Sequence, residues 1–131
     1  MKREELTTIR LKVETLGRPL RVFIASPYAG EVERNVRRAK RLVVDALALH
    51  CAPYAPHLLY VNHLDDNNPV ERQRGIDAGL AWLEACDEVW SWGLISPGML
   101  REIEHANSLG IKVRFPWGLD PSCVALVRGC A

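Results

Sequence analysis

The sequence predicts an α/β fold in which helices cover both faces of a doubly wound, mainly parallel β-sheet. Three observations point to it. Short apolar runs alternate along the chain with longer segments that repeat apolar residues at a helical period. The run at residues 20–26 is almost entirely apolar, as expected for a strand that is covered on both faces. Turns rich in proline, glycine and hydroxyl residues separate several of these segments.

Composition is that of an ordinary globular protein. The 131 residues suffice for one domain with a real core, and 48% of them are hydrophobic while 25% are charged. The net charge of +1 gives no electrostatic reason to expect nucleic acid or an anionic membrane as a partner. No apolar run approaches the roughly 18 residues of a membrane-spanning helix, and residues 1–5 do not begin a secretory signal. We therefore expect a cytoplasmic protein.

The cysteines give no indication of a metal site. Cys51, Cys86, Cys123 and Cys130 include no C-x-x-C pair, so neither a zinc site nor a disulfide framework is predicted. We expect no metal and no cofactor.

The first 19 residues are predicted to form an extra N-terminal strand or arm. Polar and apolar residues alternate from Thr8 to Val13, which is typical of a strand with one wet face. Such a strand can be an antiparallel edge, a dimer contact or a loosely held arm, and the pattern does not choose among them. We expect residues 20–115 to form the core of a single domain and residues 116–131 its tail, with a last helical turn at 121–127.

The core is predicted to alternate strands with helices. We expect strands at 20–26, at 51–57 where the strand runs into a proline-bounded turn, at 87–93 and at 112–115. Helices are expected at about 31–50, at about 70–85 and from Ser96 onward, and a mobile polar loop at 63–69. The buried stripe of the first helix consists of Val32, Val36, Ala39, Val43 and Ala46. This order favours a flavodoxin-like or Rossmann-like fold of three layers.

Three turns follow strand ends, at residues 26–30, 54–57 and 96–98. Ligands of such folds lie beyond the carboxyl ends of the strands, so we expect these turns to share one rim. Arg34, in the first turn of the helix after the first of these turns, can reach a ligand anion. Two nearby prolines hold Tyr54 and His57 in place, and His57 is either an acid–base group or a cap of segment 58–63.

The helix that begins at Ser96 carries the most informative residues. Ser96 suits an N-cap, Pro97 the first helical position, and Gly98 a close approach of a ligand to the backbone. Helical spacing places Glu102 on the shoulder of the apolar face. An inward carboxylate there is costly unless it has a partner or a task, and the free N–H groups of the first turn suit a phosphate. The alternative is a half-exposed glutamate paired with an arginine.

The chain resembles the nucleoside 2-deoxyribosyltransferase superfamily, which includes the deoxynucleoside monophosphate N-glycosidases, and within it a bacterial and phage branch. The resemblance covers about residues 20–115. It is carried by residues 23–28, 52–58, 75–83 and 86–88, and above all by the pattern Ser96-x-Gly98-x-x-x-Glu102-x-x-x-Ala106.

The resemblance implies a nucleoside or nucleotide as small-molecule ligand and a homo-oligomeric protein. It implies that Glu102 attacks the anomeric carbon, that Ser96 and Gly98 contact a phosphate or sugar hydroxyl, and that Ser26 and Tyr28 line the sugar pocket. A carboxylate suits this chemistry, because it stabilises and traps an oxocarbenium-like state. The remaining candidate binding residues are Gly30, Arg34, Tyr54, His57 and Met99.

One position departs from the pattern. Members of the superfamily usually carry an aspartate on the preceding helix, and the matching position here is Gly79. Asp77 faces elsewhere, because it is about 200° away around the helix. Either His57 or an acid of the Asp65–Asp66 loop takes its place, or the protein binds a nucleotide without turnover. A third hypothesis is an interaction protein that uses the arginines of residues 34–41 and the first strand.

Overall fold

Four parallel strands form the centre of the molecule. The structure is a computed structural model that describes residues 1–27, 31–60 and 62–119. The strands are β1 (Leu20–Ala25), β2 (Cys51–Tyr54), β3 (Glu88–Ser91) and β4 (Lys112–Arg114). Their order in the sheet is β2-β1-β3-β4, and every neighbouring pair is parallel. The predicted parallel sheet is confirmed, and its strand order switches direction between β1 and β3.

Helices cover both faces of this sheet. They are α1 (Arg3–Leu16), α2 (Val32–Ala48), α3 (Pro56–Leu59), α4 (Pro69–Leu83) and α5 (Pro97–Ser108). On one face, apolar side chains of α1 and α2 pack against the sheet around Trp90. On the other face, side chains of α4 and α5 pack around Phe23. These three layers confirm the doubly wound arrangement. None of the described helices is long and apolar enough to cross a membrane.

The predicted N-terminal strand is wrong, because residues 3–16 form helix α1. Ile9 and Val13 fit strand alternation, but they are also four residues apart and therefore lie on one face of a helix. Ile9 is fully buried, whereas Leu11, which alternation would place beside it, is 56% exposed. The helix ends at Gly17, whose φ of 66° is left-handed and whose N–H donates to the Val13 carbonyl. The segment is an outer helix, not an edge strand or a loose arm.

The other predicted strands and long helices begin and end within two residues of the observed ones, except that the strand predicted at 51–57 ends at Tyr54 and α3 follows it from Pro56. The inward face of α2 is rotated relative to the prediction, since Leu42 is buried while Val32 is 37% exposed. The apolar stripe of α5 is confirmed through Met99, Ile103 and Ala106, which are all buried. The helical turn predicted at 121–127 lies outside the described residues.

A buried ion-pair network ties α1 to the sheet. The side chain of Glu88 has no exposed surface, and its Oε1 accepts hydrogen bonds from Arg114 Nε at 2.6 Å and Trp90 Nε1 at 2.9 Å. Its Oε2 accepts from Arg114 Nη2 at 3.2 Å and pairs with the ammonium of Lys12. Burial alone would raise the pKa of Glu88, but these hydrogen bonds outweigh it and lower that pKa. Glu88 is therefore a fully partnered, ionised core residue.

Candidate active site

A cavity opens beside the carboxyl ends of β1 and β3, where the strand order switches. Its volume is about 370 Å³, within the range of roughly 300–1,000 Å³ that is usual for small-molecule sites. Residues of all three predicted turns line it, which confirms that these turns meet at one rim. The lining consists of Pro27, Pro56, His57, Tyr60, Leu64, Asp66, Arg72, Gly75, Ile76, Gly79, Leu80, Ser96, Pro97, Gly98, Arg101 and Glu102.

Glu102 supplies a buried carboxylate to this cavity from the second turn of α5. Its Oε2 has no accessible surface and no hydrogen-bond partner among the described residues. Burial raises the pKa of Glu102 to about 8, although the charge of Arg101 acts in the opposite direction. The inward placement expected from helical spacing is thus confirmed, and no arginine forms an ion pair with this carboxylate within the described chain. A buried carboxyl group of a cavity-lining residue that no described group neutralises is a candidate functional group.

The first turn of α5 presents its backbone to the same cavity. Ser96 is the N-cap, and its Oγ accepts a hydrogen bond from the Met99 N–H at 3.2 Å. Pro97 has no N–H, and the Leu100 N–H donates to the Ser96 carbonyl at 2.9 Å. Gly98 therefore has the one N–H of this turn that lacks a partner among the described residues. A Cβ at Gly98 would meet only Ser96 Oγ, at 3.9 Å.

His57 and Asp66 line the cavity together. His57 lies at the start of α3, directly after Pro56, and Asp66 belongs to the loop before α4. Burial lowers the pKa of His57, while the charge of Asp66 acts in the opposite direction. Both alternatives offered for the missing helper acid thus lie in the cavity that holds Glu102. Either side chain can provide a hydrogen bond to a ligand there.

Gly79, the position that departs from the superfamily pattern, also lines the cavity. A Cβ added to Gly79 would meet its nearest neighbours, Pro56 Cβ and Phe23 Cζ, at 3.9 and 4.0 Å. These are ordinary van der Waals distances. A Cβ at this position would therefore meet no steric obstacle.

Four other predicted binding residues do not line the cavity. Ser26 is buried beside the lining residue Pro27, and Met99 is buried in the core below the first turn of α5. Tyr54 packs against Phe23 and Trp82, and its hydroxyl hydrogen-bonds that of the lining residue Tyr60 at 2.6 Å. Arg34 is exposed and pairs with Glu31 at 2.7 Å. Tyr28 and Gly30 lie outside the described residues. Ligand contacts of these residues stay predictions.

Two arginines of the lining were not among the candidates, Arg72 of α4 and Arg101 of α5. The sequence could have indicated Arg72. It shares one face of α4 with Gly75, Ile76 and Gly79, because these positions follow the helical period. Arg101 directly precedes Glu102 in the sequence and lines the same cavity. Within the described residues, no group of three or more His, Cys, Asp or Glu side chains could hold a metal ion.

Two proteins of known structure have a similar fold. A 2-deoxyribosyltransferase from Bacillus psychrosaccharolyticus has a similar structure, with a TM-score of 0.57 and 18% sequence identity over 75% of this chain and 74% of that one. A conserved protein from Enterococcus faecalis V583 is similar with a TM-score of 0.57 and 15% identity, over 84% of this chain and 87% of that one. These likenesses show a shared fold.

Sequence comparison gives the family. No curated protein matches the chain. The sequence model of one family, described as a domain of unknown function, matches residues 20–116 and therefore most of the chain. That span includes the four strands and every residue that lines the cavity. The chain belongs to this family, DUF7768.

Proposed function

We propose that the protein is a nucleoside or nucleotide N-glycosidase, or a related 2-deoxyribosyltransferase, with Glu102 as the nucleophile. The observation that carries the proposal is the buried Oε2 of Glu102, which has no partner among the described residues and belongs to a residue that lines a ligand-sized cavity. The fold shared with a 2-deoxyribosyltransferase supports the choice of reaction.

The proposed reaction has two steps. A carboxylate oxygen of Glu102 bonds to the anomeric carbon of the sugar as the bond from that carbon to the base nitrogen breaks. The electron pair leaves with the base, which takes a proton from a donor of the site. Water, or the nitrogen of a second base, then attacks the anomeric carbon as the ester bond to Glu102 breaks, and the proton that the nucleophile loses passes to the group that gave one to the leaving base. Glu102 must be ionised for the first step, and because its pKa is raised to about 8, the rate of base release should rise as pH rises through about that value.

In this proposal, His57 and Asp66 assist the departure of the base. Expulsion of a base as an anion is slow, so a donor near the leaving nitrogen is needed. Gly79 cannot supply one because it has no side chain. His57 lines the same cavity from α3, and Asp66 lines it from the loop before α4. They are therefore the candidates to replace the aspartate that the superfamily usually carries where this chain has Gly79.

The experiment is an assay for free base. The protein is incubated with 2′-deoxynucleosides and with their 5′-monophosphates, and the products are separated by chromatography. We expect Glu102→Gln to lower the rate of base release by a factor on the order of a thousand or more. Glu104→Gln is the matched control, because Glu104 is exposed on the same helix and lies outside the cavity lining. Release that Glu102→Gln leaves unchanged would overturn the proposal.

A second candidate function is a nucleotide-binding module without turnover. The absence of a side chain at Gly79, where a Cβ would have room, favours it. It predicts that a nucleotide raises the melting temperature while no base is released. A single domain, a homo-oligomeric assembly and a cytoplasmic location stay predictions under either function.

A further inference from the structure

Tyr54 and Tyr60 form a pair of hydroxyl groups beside the cavity that holds Glu102. Tyr54 is the last residue of β2, and Tyr60 is the C-cap of α3 and lines the cavity. The two hydroxyl oxygens are 2.6 Å apart, and both residues are half-buried. Neither hydroxyl has a second hydrogen-bond partner within the part of the chain that the structure describes. A short hydrogen bond thus joins a residue outside the cavity lining to a residue within it.

Aromatic rings hold Tyr54 in place. The centroid of its ring lies 5.8 Å from that of Phe23 and 5.7 Å from that of Trp82. The ring of Tyr60 meets it edge-on, with the centroids 6.4 Å apart. Phe23 is fully buried and is the partner of Tyr54 in the register of β1 and β2. Tilted and edge-to-face contacts are favoured arrangements of aromatic rings, so packing fixes the direction in which the Tyr54 hydroxyl points.

The pair leaves one proton available to the cavity. A tyrosine hydroxyl has one proton to donate and lone pairs that accept. Among the described residues, Tyr60 is the one acceptor that the Tyr54 hydroxyl reaches, and a proton left without an acceptor away from water costs free energy. Burial raises the pKa of Tyr54, and the hydrogen bond with Tyr60 acts in the same direction, so Tyr54 stays a neutral donor. Tyr54 therefore donates to Tyr60, and Tyr60 keeps its own proton for a group in the cavity.

The two sides of the cavity differ in their chemistry. α3 follows β2 and α5 follows β3, and β1 lies between these two strands in the sheet. The side of α5 carries Glu102, which must reach the anomeric carbon, so the sugar lies at this side in the proposed function. The side of α3 presents the apolar surfaces of Pro56 and Leu64 and the ring of Tyr60. Because a base has flat apolar faces and hydrogen-bonding atoms at its edge, this side suits the base.

We propose that the Tyr60 hydroxyl donates a hydrogen bond to the base of the substrate, and that Tyr54 is the positioning residue that directs this hydroxyl. When the bond from the anomeric carbon to the base nitrogen breaks, its electron pair passes to the base, and a hydrogen bond to a charged acceptor is stronger than one to a neutral acceptor. Tyr60 therefore stabilises the departing base more than the bound substrate, which raises kcat. No proton leaves Tyr60, so its role is separate from that of the group that protonates the base. The inference rests on the proposed function.

The test uses the base-release assay with Tyr60→Phe, Tyr54→Phe and the variant that carries both substitutions. Phenylalanine keeps the ring and removes only the hydroxyl. We expect Tyr60→Phe to lower kcat by about ten- to a hundredfold and Tyr54→Phe by about three- to tenfold, with little change in KM. Because Tyr54 acts through Tyr60, the double variant should be no slower than Tyr60→Phe. Losses that multiply in the double variant would overturn the positioning role of Tyr54.

Trp82→Phe is the control for ring packing. Trp82 contacts the ring of Tyr54 but is 56% exposed and does not line the cavity. The substitution keeps an aromatic ring there and removes no hydroxyl, so its kcat and KM should equal those of the wild type. A loss of kcat in Trp82→Phe as large as that in Tyr54→Phe would show that packing, and not the hydroxyl, is responsible.

Failure of this inference and failure of the proposed function give different results. Glu102-dependent release with an unchanged kcat in Tyr60→Phe overturns the inference while the function stands. If no substrate loses its base, thermal unfolding in the presence of the same 2′-deoxynucleosides decides. A rise in melting temperature that is smaller in Tyr60→Phe and Tyr54→Phe than in wild type and in Trp82→Phe supports the hydrogen bond to the base. An equal rise in all four proteins, or no rise in wild type, overturns it.

Discussion

Glu88 and Glu102 are both buried carboxylates, and the fold treats them in opposite ways. Glu88 begins β3 and faces the layer of α1 and α2, where hydrogen bonds from Lys12, Trp90 and Arg114 lower its pKa. Glu102 lies on the other side of the sheet, in the cavity, and burial raises its pKa to about 8. The fold thus supplies hydrogen-bond donors to Glu88, whereas Oε2 of Glu102 has no hydrogen-bond partner among the described residues.

The difference separates a structural role from a chemical one. A buried charge is tolerated when partners replace the water that it loses, and Glu88 meets that condition. Glu102 does not meet it within the described chain, so its position costs free energy of folding. Groups that are kept at such a cost inside a cavity are candidates for function. The two glutamates therefore make opposite predictions for stability and for activity.

The largest expected effect on stability is that of Glu88→Gln. The substitution leaves the buried guanidinium of Arg114 and the ammonium of Lys12 without their counter-charge. We expect it to lower the free energy of unfolding by roughly 3–5 kcal/mol, measured by urea titration near pH 7. Glu102→Gln in the same titration should leave the free energy of unfolding unchanged or raise it. A loss of similar size in both variants would break the comparison.

The second prediction concerns pH. Because the pKa of Glu102 is raised to about 8 in the folded state, its protonated form is favoured by folding, and this stability is lost as pH rises through about 8. The lowered pKa of Glu88 has the opposite sign, so the stability that Glu88 contributes is lost as pH falls through that lowered pKa. Glu102→Gln should therefore gain stability relative to wild type between pH 6 and pH 9, by an amount on the order of a few kcal/mol.

Both proteins are measured by thermal unfolding at each pH. Because both contain His57, its contribution cancels in the difference between their stabilities. A difference between wild type and Glu102→Gln that stays constant over this pH interval would show that the carboxylate is not buried as described.

The third prediction concerns the empty position on α4. Gly79→Ala should raise the free energy of unfolding by about 0.5–1 kcal/mol, because alanine is the better helix former and its Cβ has room. Gly79→Asp should raise the rate of base release by roughly tenfold or more, because it adds a proton donor to the cavity. Gly79→Asn is the control for a change of size without an acid. Equal rates for the Asp and Asn variants would argue against a missing acid.

The smallest effect is expected at Arg34. Its pair with Glu31 is exposed and lies outside the cavity lining. Arg34→Gln should change the free energy of unfolding by less than about 0.5 kcal/mol, and base release should not change. A large loss of activity in this variant would show that the ligand extends to the start of α2.

The sequence was sufficient for the parts of the fold and site that depend on local periodicity. The spacing of α5 placed Glu102 inward, and the position of each turn after a strand predicted that residues near Pro27, His57 and Gly98 would meet. The prediction of an N-terminal strand failed because Ile9 and Val13 satisfy both a strand and a helix pattern. Only the packing of Ile9 against the sheet distinguishes the two.

Long-range pairing was beyond the sequence. The network of Glu88 joins Lys12, Trp90 and Arg114 across α1, β3 and β4, and no spacing along the chain indicates it. The rim arginines were missed for a similar reason, since Arg72 and Arg101 become neighbours of one cavity only when α4 and α5 are packed together. Burial of an acid can be read from one helix, but its partners cannot.

The central claim, that the unpartnered carboxylate is a nucleophile, is tested most directly by mass spectrometry. Wild-type protein is incubated with a substrate that loses its base, quenched in acid and digested. The account predicts a sugar ester on the peptide that contains Glu102, with no such ester in Glu102→Gln and base release that is slower by on the order of a thousandfold or more. Base release at the wild-type rate in Glu102→Gln, or an ester on a different residue, would contradict it.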